Sequence, residues 1–281
     1  MNAAKFLLYL FLFFHSFYTS FSIDTIISNK PIKDVDVIVS SGKIFALGFF
    51  SLSNTERRYV GIWYNQIPKQ TIVWVANRDD PVSDKSGVLS INDDRNLVLH
   101  QVNQTLPIWH TNISDTPAGN TIAQLLDSGN LVLVRNDTGE TLWQSFDHPT
   151  DTTLPNMKLG WNKRTGLHIF LTSWKSPDDP GTGNCSFGID LIGFPQVFTY
   201  KGNAKWWRAG SWTGKKYTGV AGIPKNYVFN ISFVDDENET FINYAKSAET
   251  DSSVLSMKVV NESGSVERLT WNDQEKIWIG F

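Results

Sequence analysis

Short apolar segments separated by polar turns make up most of the chain. The clearest is Ile91–Gln101, in which the polar turn Asp-Asp-Arg-Asn leads into the apolar run Leu-Val-Leu. A second copy lies at Leu125–Arg135, and the shared tetrapeptide Asn-Leu-Val-Leu recurs from Asn96 to Asn130, a shift of 34 residues. Short strands punctuated in this way predict an all-β protein.

Tryptophan follows the same period. Trp109 and Trp143 come after the two copies at the same shift, and Trp74 precedes Trp109 by 35 residues. A fixed period of this size indicates similar units that bury their apolar faces against one another. The spacing predicts three subdomains around a pseudo-threefold axis, each contributing one tryptophan to a shared centre. The alternative is an ordinary β-sandwich with these tryptophans in its core.

Further strands are predicted in both halves of the chain. In the N-terminal half they are Val35–Val39, Ile44–Ser51, Tyr59–Tyr64, Thr71–Ala76, Val88–Ile91, Thr121–Leu126, Asn130–Arg135 and Thr141–Gln144. In the C-terminal half they are Gly188–Ile192, Gln196–Tyr200, Tyr227–Val234, Thr240–Ala245, Val254–Val260 and Val266–Trp271. Gly, Pro, Asn and Asp supply the turns between them, including a hairpin turn at Asn261–Ser265.

The N-terminus has the order of a secretory signal peptide. Lys5 precedes the apolar run Phe6–Phe14, and small and polar residues follow to Ser22. We expect residues 1–22 to be removed, leaving a secreted or cell-surface chain that starts around Asp24. The alternatives are a buried N-terminal helix or a membrane anchor, although the apolar run is short for a bilayer.

Charge and motif content exclude several classes of function. The net charge is −3 and no Lys/Arg run forms a basic stripe, which argues against nucleic acid and against a basic membrane-surface helix. His100, His110, His148 and His168 lack the spacing of metal ligands. No Gly-rich phosphate loop or kinase catalytic loop occurs, so we expect no metal and no cofactor.

A hydrolase is also disfavoured. Ser145, Asp147, His148 and Asp151 are hydrolase residue types that lie close together in the sequence. No Gly-x-Ser-x-Gly nucleophile turn accompanies them, and Pro149-Thr150-Asp151 favours a turn. We therefore expect a protein that binds a partner and catalyses no reaction.

Seven Asn-x-Ser/Thr sequons support secretion and predict N-glycosylation. They begin at Asn103, Asn112, Asn136, Asn184, Asn230, Asn238 and Asn261. Asn230 lies inside an apolar stretch and is expected to be buried and unmodified. The single cysteine, Cys185, cannot form an intramolecular disulfide within this sequence, so it is a buried thiol, or pairs with another chain, or has its partner in sequence that is missing here.

Longer blocks of the N-terminal half resemble the bulb-type lectin domain of plant S-locus glycoproteins and S-domain receptor-like kinases. They are the Asn-Leu-Val-Leu strands, Val73–Val82 and Leu142–Trp161. The resemblance implies a β-prism II fold over residues 23–154, with three four-stranded sheets around a pseudo-threefold axis.

The C-terminal half resembles the S-locus glycoprotein domain of the same family. Ser173–Phe198 and Trp207–Val220 carry this likeness. It implies a second β-rich domain over residues 155–281, incomplete at its end. Family members continue into EGF-like and PAN modules and, in the receptors, a membrane helix and a kinase domain, so the chain resembles a form truncated before them.

The resemblance implies a function in cell-surface recognition, of the pollen-recognition or defence-signalling type. The partners it implies are a peptide or protein ligand, a weakly bound mannose-type glycan and a second copy of the chain in a homodimer. A truncated product without function is a further alternative.

A sugar site is also implied by the family. In bulb lectins, mannose binds a strand of the pattern Gln-x-Asp-x-Asn-x-Val-x-Tyr. The first copy here has Asn92, Asp94, Asn96, Val98 and His100 at these positions, a degenerate version without the Gln and the Tyr. The second copy has Leu126, Ser128, Asn130, Val132 and Val134, and keeps only the Asn and the Val.

Two interpretations of the first copy stay open. Asn92, Asp94, Asn96, Val98 and His100 form a weakened mannose site, which would make the chain an autonomous lectin. Alternatively, Asn96 and Asn130 serve the turns, because Asp-x-x-Asn and Asp-Ser-Gly-Asn favour tight turns by themselves. The apolar Ile44–Asn54 stretch shows no mannose pattern.

Overall fold

The structure, a computed structural model, describes residues 24–52, 55–102, 104–114, 119–220, 229–247 and 253–280. In these ranges the chain forms β-strands and one 3-10 turn at Ser145–Asp147, with no α-helix. The strands make six four-stranded sheets. The predicted all-β class is confirmed, whereas the predicted signal peptide, residues 1–22, lies outside the described residues.

Three sheets come from the N-terminal half, the first unit. Its strands are β1 (Thr25–Ile27), β2 (Ile32–Lys33), β3 (Val37–Val39), β4 (Phe45–Phe50), β5 (Tyr59–Tyr64), β6 (Ile72–Val75), β7 (Gly87–Ile91), β8 (Leu97–Gln101), β9 (Trp109–His110), β10 (Thr121–Leu125), β11 (Leu131–Arg135) and β12 (Thr141–Gln144). The sheet orders are β3-β4-β5-β6, β2-β7-β8-β9 and β1-β10-β11-β12. Each of the first three strands therefore completes one sheet. β3 joins the strands that follow it directly, β2 joins the next three, and β1 joins the last three.

The other three sheets form the second unit. Its strands are β13 (Thr152–Thr153), β14 (Leu159–Asn162), β15 (Leu167–Ile169), β16 (Leu171–Ser176), β17 (Asp179–Asp190), β18 (Gln196–Lys201), β19 (Ala204–Arg208), β20 (Phe229–Asp235), β21 (Glu239–Lys246), β22 (Ser256–Val260), β23 (Val266–Asn272) and β24 (Ile277–Gly280). The orders are β16-β17-β18-β19, β15-β14-β21-β20 and β13-β22-β23-β24. The same nested order recurs here. The early strand β13 pairs with the last strands of the chain (β22–β24), β14 pairs with β21 before them, and β16 pairs with β17, which follows it directly.

The three repeat tryptophans meet in the first unit, as their spacing predicts. Trp74, Trp109 and Trp143 lie on β6, β9 and β12, one in each sheet. Their ring centroids are 5.8–6.0 Å apart, with edge-to-face angles of 63–77°. This arrangement favours contact between ring edges and faces and lets three large side chains fill one axis. Three sheets around a shared tryptophan centre confirm the β-prism architecture and exclude the two-sheet sandwich.

Several predicted strands differ in extent from those observed, and for two of them the physical reason is clear. β3 starts at Val37, because the Asp36 carboxylate accepts a hydrogen bond from the backbone N–H of Lys33 and closes a turn there. β17 is 12 residues long and begins at Asp179, well before the predicted start at Gly188. A Cβ at Gly183 would collide with the carbonyl oxygen of Trp174, so glycine here permits close strand approach instead of a turn.

The hydrophobic core of the first unit extends into the second, which also has a buried cluster of its own. Leu255 and Met257, from the second unit, belong to the buried cluster that fills the first. At the edge of this cluster the Tyr64 hydroxyl donates a hydrogen bond of 2.8 Å to the carbonyl oxygen of Ser256. Apolar burial across the junction therefore fixes the units against each other.

Arg78 fastens the units at a second point. Its guanidinium donates to the carbonyl oxygens of Thr172 (3.1 Å), Ser173 (2.7 Å), Pro180 (2.8 Å) and Gly181 (3.3 Å). Burial lowers the pKa of this guanidinium, an effect that nearby carboxylates oppose. The fork geometry of arginine suits this role, since its donors reach carbonyls on β16 and β17 together.

Candidate functional site

The turn between β7 and β8 holds the polar residues of the degenerate mannose pattern. Arg95 adopts a left-handed conformation (φ 66°), and the Asn92 side-chain oxygen accepts a 2.8 Å hydrogen bond from the N–H of Asn96. Lys43 and Gly129 are also left-handed, two residues before β4 and β11. The same turn therefore recurs between β10 and β11, the equivalent strands of the next sheet, whereas Lys43 lies in a different hairpin, between β3 and β4.

Asn96 is buried beneath this turn. Its side-chain oxygen accepts from the Thr111 hydroxyl (2.9 Å) and from the N–H of Ile113 (2.8 Å). Its amide nitrogen donates to the carbonyl oxygens of Ile113 (3.1 Å) and Asp94 (3.4 Å). An amide offers two donors and two acceptor positions, so the hydrogen-bonding capacity of Asn96 is used within the fold.

The other positions of the pattern are split between the interior and the solvent. Val98 is 2% exposed and cannot lie against a sugar ring. Asp94 is exposed, while Asn92 and His100 are half-buried. The structure therefore places the five residues along one turn and one strand, but the side chains of Asn96 and Val98 point into the interior.

The second copy explains what the repeated asparagine does. The Asn130 side-chain oxygen accepts from the Ser145 hydroxyl (3.1 Å) and from the N–H of Phe146 (3.2 Å). The Ser145 hydroxyl in turn accepts from the N–H of Leu131 (2.9 Å), as the Thr111 hydroxyl accepts from Leu97 (3.2 Å). An Asn–hydroxyl clip thus ties the turn of one strand to the end of the tryptophan strand.

Sequence reasoning missed the hydroxyl partners of this clip. Thr111 and Ser145 are separated by the same 34 residues as Asn96 and Asn130, and this shift was the available signal. In the remaining sheet, Asn77 lies 34 residues before Thr111 and its oxygen accepts from the N–H of Val60 (2.8 Å). In that sheet Asn77 takes the place of the hydroxyl and Tyr59 stands at the position of Asn96, so the Asn–hydroxyl clip itself is present in two of the three sheets.

The sequons lie at the surface where the structure describes them. Five asparagines are exposed: Asn112, Asn136, Asn184, Asn230 and Asn238. Asn261 is half-buried, and Asn103 lies outside the described residues. The expectation that Asn230 is buried is wrong, because β20 is an edge strand and Asn230 alternates outward on it. Glycosylation itself stays a prediction.

Cysteine and metal chemistry are limited in the described residues. Cys185 is a buried free thiol whose sulfur lies 3.4 Å from the carbonyl oxygen of Glu262. Across the described ranges, no cluster of His, Cys, Asp and Glu side chains has metal-binding geometry. In the same ranges, no helix has the length and apolarity to cross a membrane.

A polar cleft lies where the two units meet. It has a volume of about 340 Å³ and is lined by Gln144, Asp147, Lys158 and Glu239 beside Phe241. Lys158 pairs with Glu239 at 2.7 Å and its ammonium lies 4.1 Å from the centre of the Phe241 ring. Burial raises the pKa of Asp147, which accepts a hydrogen bond from Gln144. Paired charges and an aromatic face suit binding of a polar partner.

Comparison with known proteins identifies two domains in the chain. Residues 71–175 match the D-mannose binding lectin family, and residues 207–281 match the S-locus glycoprotein domain. A solved structure of a monomeric mannose-binding lectin from Gastrodia elata aligns with 43% of this chain and 96% of its own, at 16% identity and a TM-score of 0.33.

Similarity to longer proteins extends over nearly the whole chain. A G-type lectin S-receptor-like serine/threonine-protein kinase of Arabidopsis thaliana is 47% identical over 98% of the chain and 32% of its own length. A second such Arabidopsis kinase is 49% identical over 96% of the chain and 32% of its own length. An S-locus-specific glycoprotein of Brassica oleracea is 37% identical over 94% of the chain and 61% of its own length. The chain thus spans about a third of the kinases.

Proposed function

We propose that this chain, which belongs with the G-type lectin S-receptor-like kinases and the S-locus glycoproteins, is an extracellular recognition module that binds a ligand and catalyses nothing. The observation that carries the proposal is homology over 96–98% of the chain to one third of the kinases. The matched residues 71–175 lie mainly in the first three-sheet unit and residues 207–281 lie in the second, and both units are scaffolds that can present side chains to a partner.

The proposed domain boundaries follow the sequence prediction: a signal peptide at 1–22, a lectin domain at 23–154 and an S-locus glycoprotein domain at 155–281. The division of the sheets supports this order, since strand pairing changes units between β12 and β13, although β13 (Thr152–Thr153) already belongs to a sheet of the second unit. The exposed sequons support passage through the secretory route and a secreted or cell-surface location.

The ligand we propose is a peptide or protein at the cell surface, bound by one copy or by a homodimer. The mannose pattern is an unsuitable binding surface because Asn96 is saturated by internal hydrogen bonds and Val98 is buried. A sugar hydroxyl left without its partner in a buried contact costs about 1–3 kcal/mol. The cleft of Gln144, Asp147, Lys158 and Glu239 is the better-equipped surface.

Secretion tests the location in this proposal. We expect the chain, expressed in plant cells, to accumulate in the extracellular fluid with N-linked glycans that peptide N-glycosidase removes. A variant without residues 2–22 should stay in the cell, unglycosylated. Cytosolic accumulation of the intact chain would contradict an extracellular role.

An autonomous mannose-binding lectin is the second candidate. Accessibility of Asp94, Asn92 and His100 favours it. Titration calorimetry with methyl α-mannoside separates the two: the recognition-module proposal expects no measurable heat for the wild type. Mannoside binding that disappears in Asp94→Ala would establish the lectin instead.

A further inference from the structure

An aromatic groove on the outer surface of the second unit is unused by the function proposed above. It has a volume of about 350 Å³ and is lined by Trp161, His168, Phe170, Gly188, Tyr200 and Gly202. The groove lies between the edge strand β15 and the strands β17 and β18. It is separate from the mannose pattern, which belongs to the first unit.

Stacked rings make one wall of the groove. Trp161 and His168 are parallel, with centroids 3.8 Å apart, and His168 lies 4.7 Å from Phe170. Phe170 is 39% exposed, a large open area for a phenylalanine. A Cβ at Gly188 would lie 2.8 Å from the Phe170 Cβ, so glycine keeps the floor open beneath this ring.

Polar groups make the opposite wall. The Tyr200 hydroxyl donates a 2.7 Å hydrogen bond to Asp190, which also pairs with Lys205 at 2.6 Å. Ser186 and Asn203 add a hydroxyl and an amide to the lining. Aromatic faces opposite hydroxyl, carboxylate and amide groups match a pyranose ring, which has apolar C–H faces and a polar edge.

The sequon asparagine Asn184 opens onto this groove. Cys185 is buried, so by strand alternation Asn184 faces outward with Ser186 and Gly188. A Cβ on the groove residue Gly202 would lie 3.8 Å from the Asn184 amide nitrogen, the atom that N-glycosylation modifies. Asn184 is itself exposed.

We propose that Asn184 carries an N-linked glycan whose first two N-acetylglucosamine rings lie in the aromatic groove. Successive outward residues on β17 are about 7 Å apart, so the rings would follow Ser186 and Gly188 toward the gap between Phe170 and Tyr200. The glycan thereby covers aromatic surface that would otherwise face solvent.

Attachment follows the usual chemistry of a sequon. The Asn184 amide nitrogen forms a bond to C1 of N-acetylglucosamine, and the bond from C1 to the diphosphate of a lipid-linked oligosaccharide donor breaks. One amide proton leaves and the lipid diphosphate is released. This step rests on the proposed secretory location.

Site-resolved deglycosylation tests the inference. The secreted chain, produced with high-mannose glycans, is digested in its native state with endoglycosidase H, which cuts between the two N-acetylglucosamines, and each site is followed by mass spectrometry. We expect cleavage at Asn184 to be slower than at Asn238 by a factor of about ten or more, because tenfold corresponds to about 1.4 kcal/mol in favour of a docked glycan. Denaturation should equalise the two rates.

Groove variants give the specific control. Phe170→Ala should bring the Asn184 cleavage rate close to that of Asn238, while Phe194→Ala, which removes an 86% exposed ring on a loop, should leave the protection intact. Urea unfolding of both variants confirms that they fold.

Several outcomes would overturn the inference. They are an unmodified Asn184 beside occupied sequons, native cleavage at Asn184 as fast as at Asn238, and full protection in Phe170→Ala. Binding of free diacetylchitobiose to the wild type with its Asn184 glycan in place would also overturn it, since the groove would then serve an external sugar. If no sequon were modified, the proposed secretory location would fail instead.

Discussion

Arg78 allows a quantitative test of how the two three-sheet units are held together. The side chain comes from the turn after β6 in the first unit and reaches four carbonyl oxygens on β16 and β17 of the second. Arg78→Ala removes all four contacts and leaves the carbonyls in a partly closed junction. Arg78→Lys keeps the positive charge but loses the several guanidinium donors that reach separate carbonyl oxygens.

The expected magnitude follows from the geometry. A hydrogen bond to a charged group contributes about 1.5–3 kcal/mol. The contacts with Pro180 and Ser173 are short, whereas those with Thr172 and Gly181 are 3.1 and 3.3 Å and share the same charge. Counting the two short contacts, Arg78→Ala should lower the free energy of unfolding by about 3–6 kcal/mol. Arg78→Lys should lose about 2 kcal/mol, because one ammonium cannot reach both strands.

Urea unfolding followed by tryptophan fluorescence measures the effect. We expect the wild type to unfold in one transition, because Arg78 and the core residues Leu255 and Met257 join the units. Arg78→Ala should shift the midpoint and let the units, each with its own buried cluster, unfold in two transitions. Arg164→Ala, in the exposed turn between β14 and β15, is the matched control and should leave the curve unchanged. If Arg78→Ala lost less than about 1 kcal/mol of unfolding free energy and still unfolded in a single transition, Arg78 would not be what holds the two units together.

Three further predictions concern the first unit and the junction. Trp143→Ala should cost about 3–5 kcal/mol by opening the tryptophan centre, whereas Trp206→Ala, at a 62% exposed site, should barely move the urea midpoint. Asn96→Ala should lower the free energy of unfolding by about 1–3 kcal/mol, because the Thr111 hydroxyl and the Ile113 N–H lose their acceptor. The calorimetric signal with mannosides should not change. Burial raises the pKa of Asp151 to about 6, so the folded chain keeps a proton that the unfolded chain releases above about pH 4. Stability should therefore fall by about 2 kcal/mol as pH rises from 4 to 6, and Asp151→Asn should flatten that slope in urea titrations at each pH. A slope that survives Asp151→Asn would assign it to another group.

Prediction from sequence succeeded where the signal was periodic. The 34-residue shift located the tryptophan centre because three copies of one unit must place equivalent residues around one axis. For the second unit the β-rich class and several strands were predicted correctly, but its three-sheet arrangement was not, because its strands carry no repeated motif and its pairing joins distant segments. β13 and β22, for example, align Thr152 with Val259.

The candidate site shows the same division. The pattern from Asn92 to His100 located a polar turn and a strand, and both are present. Whether a side chain meets a ligand or the interior depends on neighbours contributed by other segments. Thr111 and Ile113 use the hydrogen-bonding capacity of the Asn96 side chain. No local pattern at positions 92–100 contains that information.

The sequence by itself determined the strand class, the threefold repeat and the turns, because side-chain alternation, turn residues and a fixed period are local properties. Only the tertiary structure decided that the C-terminal half builds a second three-sheet unit, that Arg78 locks it to the first, and that Asn96 serves the fold. Those outcomes depend on burial and hydrogen-bond partners supplied by distant segments, which become neighbours when the chain packs.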